Sequence, residues 1–195
     1  MARDWCNEKD PTNKHVLDFI RAHLDELQSF ADELRIPVEW LLGLSGTECD
    51  YGSSNIARQA KNFFGLTKGA SGNIGYFATS KGVKVAKFKN FKASAQSFVT
   101  DFGRLVFGKK TSQDFVNALV PKFNSADSRT NGNPTFREDT LEGIKAISHR
   151  MSCIQMQPSA HKCGARCKDF DEYGYCDRLT KSKRCWQHTR KLRSV

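Results

Sequence analysis

Apolar side chains recur at three- and four-residue spacing near the start of the chain, and this pattern predicts an amphipathic helix over residues 13–35. The residues that define its apolar face are Val16, Ile20, Leu24, Leu27, Ala31 and Leu34. Pro37 begins a second segment, at a helix position that tolerates a missing N–H. Because this second segment is apolar nearly all round, we expect a helix that is largely buried.

The pattern changes at Gly65. The stretch GLTKGASGNIGYFATSKGVKVAKF contains five glycines and an alternating apolar set, which predicts a β-hairpin or a small sheet. Helical patterns precede and follow it, at about residues 54–63, 93–107, 111–120 and 136–150. These features predict an α+β fold that is mainly helical, with a helical lobe and a small β-hairpin lobe. A cleft between two such lobes could hold an extended polymer.

The chain has seven cysteines, many for its 195 residues. Four of them lie with His161 and His188 in a basic tail without helical periodicity, so we expect a domain over residues 1–152 and a cysteine-rich extension over residues 153–195 that packs on it. The tail has no Cys-x-x-Cys pair, which favours disulfides, while a zinc site and free thiols stay open. A disulfide at Cys49 would brace a cleft beside it. The disulfide candidates are Cys6, Cys49, Cys153, Cys163, Cys167, Cys176 and Cys185.

The formal net charge is +10, from 31 Lys and Arg residues against 21 Asp and Glu residues. A basic protein is drawn to polyanions such as nucleic acid, anionic lipid or bacterial wall polymers. No apolar run approaches the roughly 18 residues that a membrane-spanning helix needs, so no membrane span is expected. The N-terminus lacks the apolar region of a secretory signal, which predicts a protein made in the cytoplasm without a signal peptide.

One carboxylate stands at the end of the apolar second helix. Glu48 follows Leu41 and Leu44 at helical spacing, so we expect it near the helix C-terminus and partly buried. The helix dipole and burial both disfavour its charge there, and both raise its pKa toward the value that a general acid needs at neutral pH. Two structural interpretations compete with this one: a capping box of Ser45 and Glu48, and an ordinary surface residue at a helix end.

The residues around Glu48 carry a family resemblance. The stretch LLGLSGTECDYGSSNIARQAKNFFGL resembles the glucosaminidases of glycoside hydrolase family 73, in the lysozyme-like superfamily. The shared pattern is an apolar helix, a Glu, an aromatic-Gly pair, a Ser, an Ile-Ala pair and Asn-x-Phe-Gly. The resemblance covers residues 36–150. It implies a lysozyme-like fold, cleavage of the β-1,4 bond after N-acetylglucosamine in peptidoglycan, and Glu48 as the catalytic proton donor, with no cofactor and no metal.

Under this resemblance, several residues near Glu48 acquire substrate-binding roles. Tyr51 and Phe64 would form cleft walls, since sugar rings offer apolar faces to aromatic planes. Gly65 would let the backbone approach the glycan closely. Asn62 would bond an acetamido group, and Tyr76 would help to orient it. For each of these side chains ordinary packing is the competing interpretation.

The sequence departs from the family where a second carboxylate is expected. No Asp or Glu lies between Asp50 and Asp101, so the hairpin cannot supply one. Glycosidases generally use two carboxylates. Three explanations stay open: the acetamide oxygen of the substrate acts as nucleophile, an acid elsewhere (Asp101, Asp127 or Asp139) enters the cleft, or the protein only binds glycan.

A wall hydrolase without a signal peptide needs another route out of the cytoplasm. The resemblance extends to small glycoside hydrolase toxins of the type VI secretion machinery, which act in the periplasm of a target bacterium. It implies peptidoglycan as substrate, the secretion machinery as a partner, and a periplasmic immunity protein that blocks the cleft. The alternatives are a phage-type endolysin or a muramidase of the same fold, and a non-enzymatic basic protein that binds zinc or nucleic acid. Under the preferred interpretation, no nucleic acid partner is expected.

Overall fold

A computed structural model of the chain describes residues 4–123 and 135–156. The described part is mostly helical and has one small antiparallel sheet. In chain order its elements are α1 (Pro11–Leu34), α2 (Val38–Cys49), a one-turn π-helix (Ile56–Ala60), β1 (Tyr76–Ala78), β2 (Lys84–Ala86), α3 (Phe91–Val106), α4 (Ser112–Leu119) and α5 (Phe136–Met156).

The predicted first helix is present and starts two residues earlier than its apolar pattern. Asp10 caps α1, because its carboxylate accepts hydrogen bonds from the backbone N–H groups of Thr12 and Asn13 at 2.8 and 3.4 Å. Pro11 then occupies the first turn, where no N–H is needed. The helix ends where Arg35 adopts a left-handed conformation, with φ of 56°. Its apolar face packs on α2 and α3.

The second helix lies in the core, as its composition predicts. A Cβ atom on Gly43 would stand 2.6 Å from the backbone Cα of Ile144, and a Cβ on Gly143 would overlap the side chain of Thr47. Only glycine at both positions lets α2 and α5 approach this closely. The two helices therefore cross at a glycine contact, and α5 fixes the last turns of α2.

The segment between α2 and α3 (residues 50–90), here called the β lobe, contains less helix than predicted. The helix expected at about residues 54–63 is a single π-turn, because Lys61 adopts a left-handed conformation with φ of 52° and stops it. The predicted hairpin is present, with Phe77 opposite Val85. Thr67 forms a further bridge to Val85, on the other side of β2 from β1. Residues 66 and 67 therefore extend the sheet beyond β2.

The last helix continues beyond residue 150, where the sequence pattern predicted its end. Met151 and Cys153 are buried, and Cys153 is disulfide-bonded. These contacts explain why α5 continues to Met156. The predicted division at residue 152 into a domain and a packed extension stays a prediction, because residues 157–195 lie outside the described part.

Two other sequence features lie outside the described residues, namely the polar loop at residues 124–134 and the cysteines of the tail (Cys163, Cys167, Cys176 and Cys185). Within residues 4–123 and 135–156, no helix is both long and apolar enough to cross a bilayer.

Candidate active site

Glu48 lies where the sequence places it, one residue before the C-terminal end of α2. The helix stops there because Asp50 and Tyr51 both adopt left-handed conformations, with φ of 49° and 48°. The Glu48 side chain is half-buried and its carboxyl group lies against Gly65. A Cβ atom at Gly65, whose φ is 64°, would stand 3.3 Å from the Glu48 Cδ and would overlap Oε2. The absence of a side chain at Gly65 therefore makes room for the carboxyl group.

Burial raises the pKa of Glu48 from 4.5 to about 7, because desolvation penalises the charged carboxylate. Among the residues that the structure describes, none forms a hydrogen bond or an ion pair with this carboxyl group that would offset the penalty. At neutral pH the protonated and ionised forms are therefore both populated. A carboxylic acid in this state can donate a proton and then be reprotonated from solvent, as a general acid must.

A groove of about 410 Å³ begins at Gly65, the residue that contacts Glu48. One wall is the segment that pairs with β2, and the other wall comes from α3 and from the chain after α4. The aromatic rings of Phe102 and Phe123 meet edge to face in this second wall, with centroids 5.1 Å apart. The lining residues are Gly65, Leu66, Thr67, Gly69, Ala70, Asp101, Phe102, Lys122 and Phe123. The groove thus combines apolar surface with one acidic side chain, Asp101, and one basic side chain, Lys122.

Of the three candidates for a second carboxylate, Asp101 is the one that the structure describes in this groove. Its Oδ2 accepts a hydrogen bond from the backbone N–H of Ser71 at 2.9 Å, and its Oδ1 accepts a short one from the Ser71 hydroxyl. Asp139 lines a different cavity, of about 490 Å³, together with Thr47 and Tyr51. Asp127 lies outside the described residues.

Comparison with solved structures assigns the family. The chain matches a chain from the structure of a type VI secretion system effector–immunity complex from Pseudomonas protegens, with 37% identity and a TM-score of 0.65. The match covers 77% of this chain and 100% of the other. This chain belongs to the family of that type VI effector. Its predicted resemblance to the family 73 glucosaminidases is confirmed. No protein-family model matches the chain, and no curated protein does either.

More distant structures share the fold of this effector family. The glycoside hydrolase domain of Salmonella typhimurium FlgJ is 17% identical, with a TM-score of 0.57 over 74% of this chain and 96% of that domain. A peptidoglycan hydrolase from Sphingomonas sp. A1 is 16% identical, with a TM-score of 0.55 over 78% of this chain and 99% of the other. The predicted α+β, lysozyme-like fold is therefore confirmed.

Two predicted substrate-binding residues of this family member are core residues. Asn62 is fully buried, and its amide N–H groups donate to the carbonyl oxygens of Leu66 and Ala86 at 2.7 and 3.0 Å. Its Oδ1 accepts from the Leu66 N–H at 3.0 Å, so the side chain joins the groove wall to β2 and cannot reach a sugar. Phe64 is also fully buried and stacks on Phe98 at 4.9 Å. Both predictions of glycan contact are wrong.

Tyr51 and Tyr76 lie apart from the groove lining. The Tyr51 ring covers Gly46 and meets Phe19 edge to face at 5.7 Å, and it lines the second cavity with Thr47. Burial raises the pKa of Tyr51. Tyr76 on β1 is 57% exposed, with the Lys84 Nζ 4.6 Å from its ring centroid. A sugar could stack on Tyr76, and Tyr51 is half-buried at the second cavity, so the predicted roles of both stay predictions.

Of the three cysteines that the structure describes, Cys6 and Cys153 are disulfide-bonded and Cys49 is a free thiol. The predicted disulfide chemistry is confirmed for Cys6 and Cys153. Cys49 is a buried free thiol, so the idea that a disulfide there braces the site is wrong. Its Sγ instead accepts a hydrogen bond from the Gly52 N–H at 3.1 Å, just after α2 ends. Burial is the main reason that the pKa of this thiol is raised to about 12, so it stays neutral.

The groove residues Phe102, Lys122 and Phe123 were not predicted as site residues. The sequence pattern identified the α3 region as an amphipathic helix but could not say which of its aromatic side chains border a cavity. Phe123 follows α4 and contributes through its contact with Phe102. Helical spacing finds the buried face of a helix, whereas a groove forms at the edge of that face.

Proposed function

We propose that this effector-family protein is a peptidoglycan hydrolase that cleaves the β-1,4 bond after N-acetylglucosamine, with Glu48 as proton donor. The observation that carries the proposal is the Glu48 carboxyl group, which is half-buried against the groove-lining residue Gly65 and whose pKa is raised to about 7. A glycosidic oxygen needs a proton as its bond breaks, and a carboxylic acid with a raised pKa supplies one near neutral pH.

The groove suits a glycan in size and in chemistry. Its volume of about 410 Å³ lies in the range typical of ligand sites. Phe102 and Phe123 offer ring surfaces to the apolar faces of sugars, and Gly65 has no side chain to hold the glycan away from Glu48. In this arrangement the scissile oxygen lies beside Glu48 while neighbouring sugars occupy the groove.

We assign the second catalytic role to Asp101, which lines the same groove and is held by two hydrogen bonds from Ser71. As a carboxylate it could activate water or stabilise the positive charge of the transition state. The competing mechanism uses the acetamide oxygen of the substrate. Asp101→Asn separates the two: loss of most hydrolysis supports Asp101, and hydrolysis at nearly the wild-type rate supports the acetamide.

The test of the hydrolase proposal is digestion of purified peptidoglycan by the wild-type protein, Glu48→Gln and the matched control Glu39→Gln. Glu39 lies in the first turn of α2, so this control removes a carboxylate from the same helix at its other end. Loss of a general acid typically costs about 10²- to 10⁴-fold in rate. We expect that loss for Glu48→Gln and wild-type activity for Glu39→Gln.

Mass spectrometry of the released fragments identifies the bond that is cleaved. New reducing ends on N-acetylglucosamine support the glucosaminidase assignment, and reducing ends on N-acetylmuramic acid would indicate a muramidase. Hydrolysis by folded Glu48→Gln at the wild-type rate would exclude Glu48 as proton donor.

We further propose that the protein is delivered by the type VI machinery into the periplasm of a target bacterium and is neutralised by an immunity protein. The effector–immunity complex of the 37% identical relative supports this context. Bacteria that express the chain fused to a signal peptide for periplasmic export should lyse. Bacteria that express the chain without this fusion should grow normally. Equal toxicity of both forms would contradict a periplasmic target.

A further inference from the structure

The β lobe and its flanks carry a strong and unbalanced positive charge. Residues 51–100 contain eight Lys and Arg residues and no Asp or Glu. All eight are exposed, and among the described residues none of them forms an ion pair. We call this set the cationic face: Arg58, Lys61, Lys68, Lys81, Lys84, Lys87, Lys89 and Lys92. Its charges are therefore available to an external anion.

The cationic face is continuous with the groove. Thr67, which lines the groove, is bridged to Val85 of β2, and the Leu66 carbonyl accepts a hydrogen bond from the Ala86 N–H at 2.9 Å. Lys84 and Lys87 flank Val85 and Ala86 along the chain. A polymer that follows the groove past Thr67 therefore meets the lysines of the hairpin next.

Apolar surface accompanies these charges. Tyr76 and Ile74 are 57% and 63% exposed, and the Lys84 ammonium group lies over the Tyr76 ring. A surface that is cationic and partly aromatic fits a polymer with both sugar rings and carboxylates better than it fits a uniformly charged one. Peptidoglycan has both, because peptide stems with free carboxylates branch from its glycan strand.

We propose that the cationic face binds the stem-peptide carboxylates of the glycan strand that lies in the groove. This inference rests on the proposed function. It narrows the substrate to peptidoglycan whose stem peptides carry ionised carboxylates. Neutral polymers of N-acetylglucosamine enter the groove but gain nothing from the cationic face. Since the charges are exposed, the attraction acts through water and weakens with salt.

The experiment compares native peptidoglycan with the same material after its carboxylates are converted to neutral amides by carbodiimide coupling. The variants are Lys84→Gln/Lys87→Gln and the charge-matched control Lys109→Gln/Lys110→Gln, which removes two cations just after α3, away from the hairpin. At low salt we expect kcat/KM on native material to fall about tenfold in the hairpin variant and to stay unchanged in the control. Lys84→Arg/Lys87→Arg should retain activity, which excludes a folding defect.

On amidated peptidoglycan the wild-type protein and the hairpin variant should be equally active, and the salt dependence of the wild-type rate should flatten. Equal activity of the two proteins on native material, or an equal loss in the hairpin variant and the control, would overturn the inference while leaving the hydrolase proposal intact. No hydrolysis of native peptidoglycan by the wild-type protein would instead overturn the hydrolase proposal. Binding to double-stranded DNA as tight as binding to peptidoglycan would show that the cationic face does not select for peptide stems.

Discussion

At the scale of single residues, the site depends on a contact between a carboxyl group and a glycine. Gly65 has a left-handed φ of 64°, and a Cβ atom there would overlap the Glu48 Oε2. The position therefore excludes side chains for two reasons: backbone strain and collision with Glu48. Gly108 has the same φ of 64°, but no atom lies within 4 Å of its Cβ position. A substitution at Gly108 therefore causes backbone strain without a collision.

We predict that Gly65→Ala and Gly108→Ala each lower the free energy of unfolding by about 1–3 kcal/mol through backbone strain. Only Gly65→Ala should also lower kcat, since it displaces the Glu48 carboxyl group. Urea unfolding and peptidoglycan hydrolysis measure the two effects separately. If Gly108→Ala reduces kcat as much as Gly65→Ala does, the contact with Glu48 has no catalytic role.

Glu48 also makes stability depend on pH. Its pKa is about 7 in the folded protein and 4.5 as the ordinary value, so the unfolded state loses this proton at lower pH than the folded state does. Its contribution to stability is therefore fully present below pH 4.5 and is lost as pH rises through 7. A shift of this size corresponds to about 3 kcal/mol.

We predict that Glu48→Gln unfolds at a higher temperature than the wild-type protein at pH 8, and that the difference disappears near pH 4.5. His23 changes stability in both proteins alike, because burial lowers its pKa to about 4 and disfavours its charged form in acid. Calorimetry of both proteins across this pH range measures the difference directly. A difference that is constant with pH would show that Glu48 is not desolvated in the folded state.

At the scale of elements, the long helices could be predicted and the short ones could not. The periodicity of residues 13–35 locates α1, because a single apolar face spans its 24 residues. The helix predicted after Glu48 is wrong in length, because Lys61 ends a helix that the residue pattern allows to continue. Asn62 and Phe64 were assigned to the glycan for a related reason: a motif fixes residue types but not the direction in which each side chain points.

Cys6 and Cys153 are each disulfide-bonded. A native disulfide typically contributes about 2–4 kcal/mol to stability, because it constrains the unfolded chain. We predict that Cys6→Ser and Cys153→Ser each lower the melting temperature, which thermal unfolding under oxidising conditions measures. Melting temperatures equal to that of the wild-type protein would show that these disulfides do not stabilise the fold.

At the scale of the whole molecule, paired and unpaired charges lie on different parts of the chain. Ion pairs occur on the N-terminal segment, α1 and α5, whereas the eight Lys and Arg residues of the cationic face form none with the described residues. The net charge of +10 predicted a polyanionic partner, but only the structure shows that the unpaired charge continues the groove. The lysozyme-like fold and the position of Glu48 were predictable from the sequence. The groove lining was not, because it joins residues more than fifty positions apart.

The glycine contact between Gly43 of α2 and Ile144 of α5 has a consequence for the order of biosynthesis. The helix that carries Glu48 packs on α1, but it gains α5 as a further packing partner only when the ribosome has made nearly a hundred further residues. The site around Glu48 therefore reaches its final packing late in synthesis, after the residues of α5 have left the ribosome.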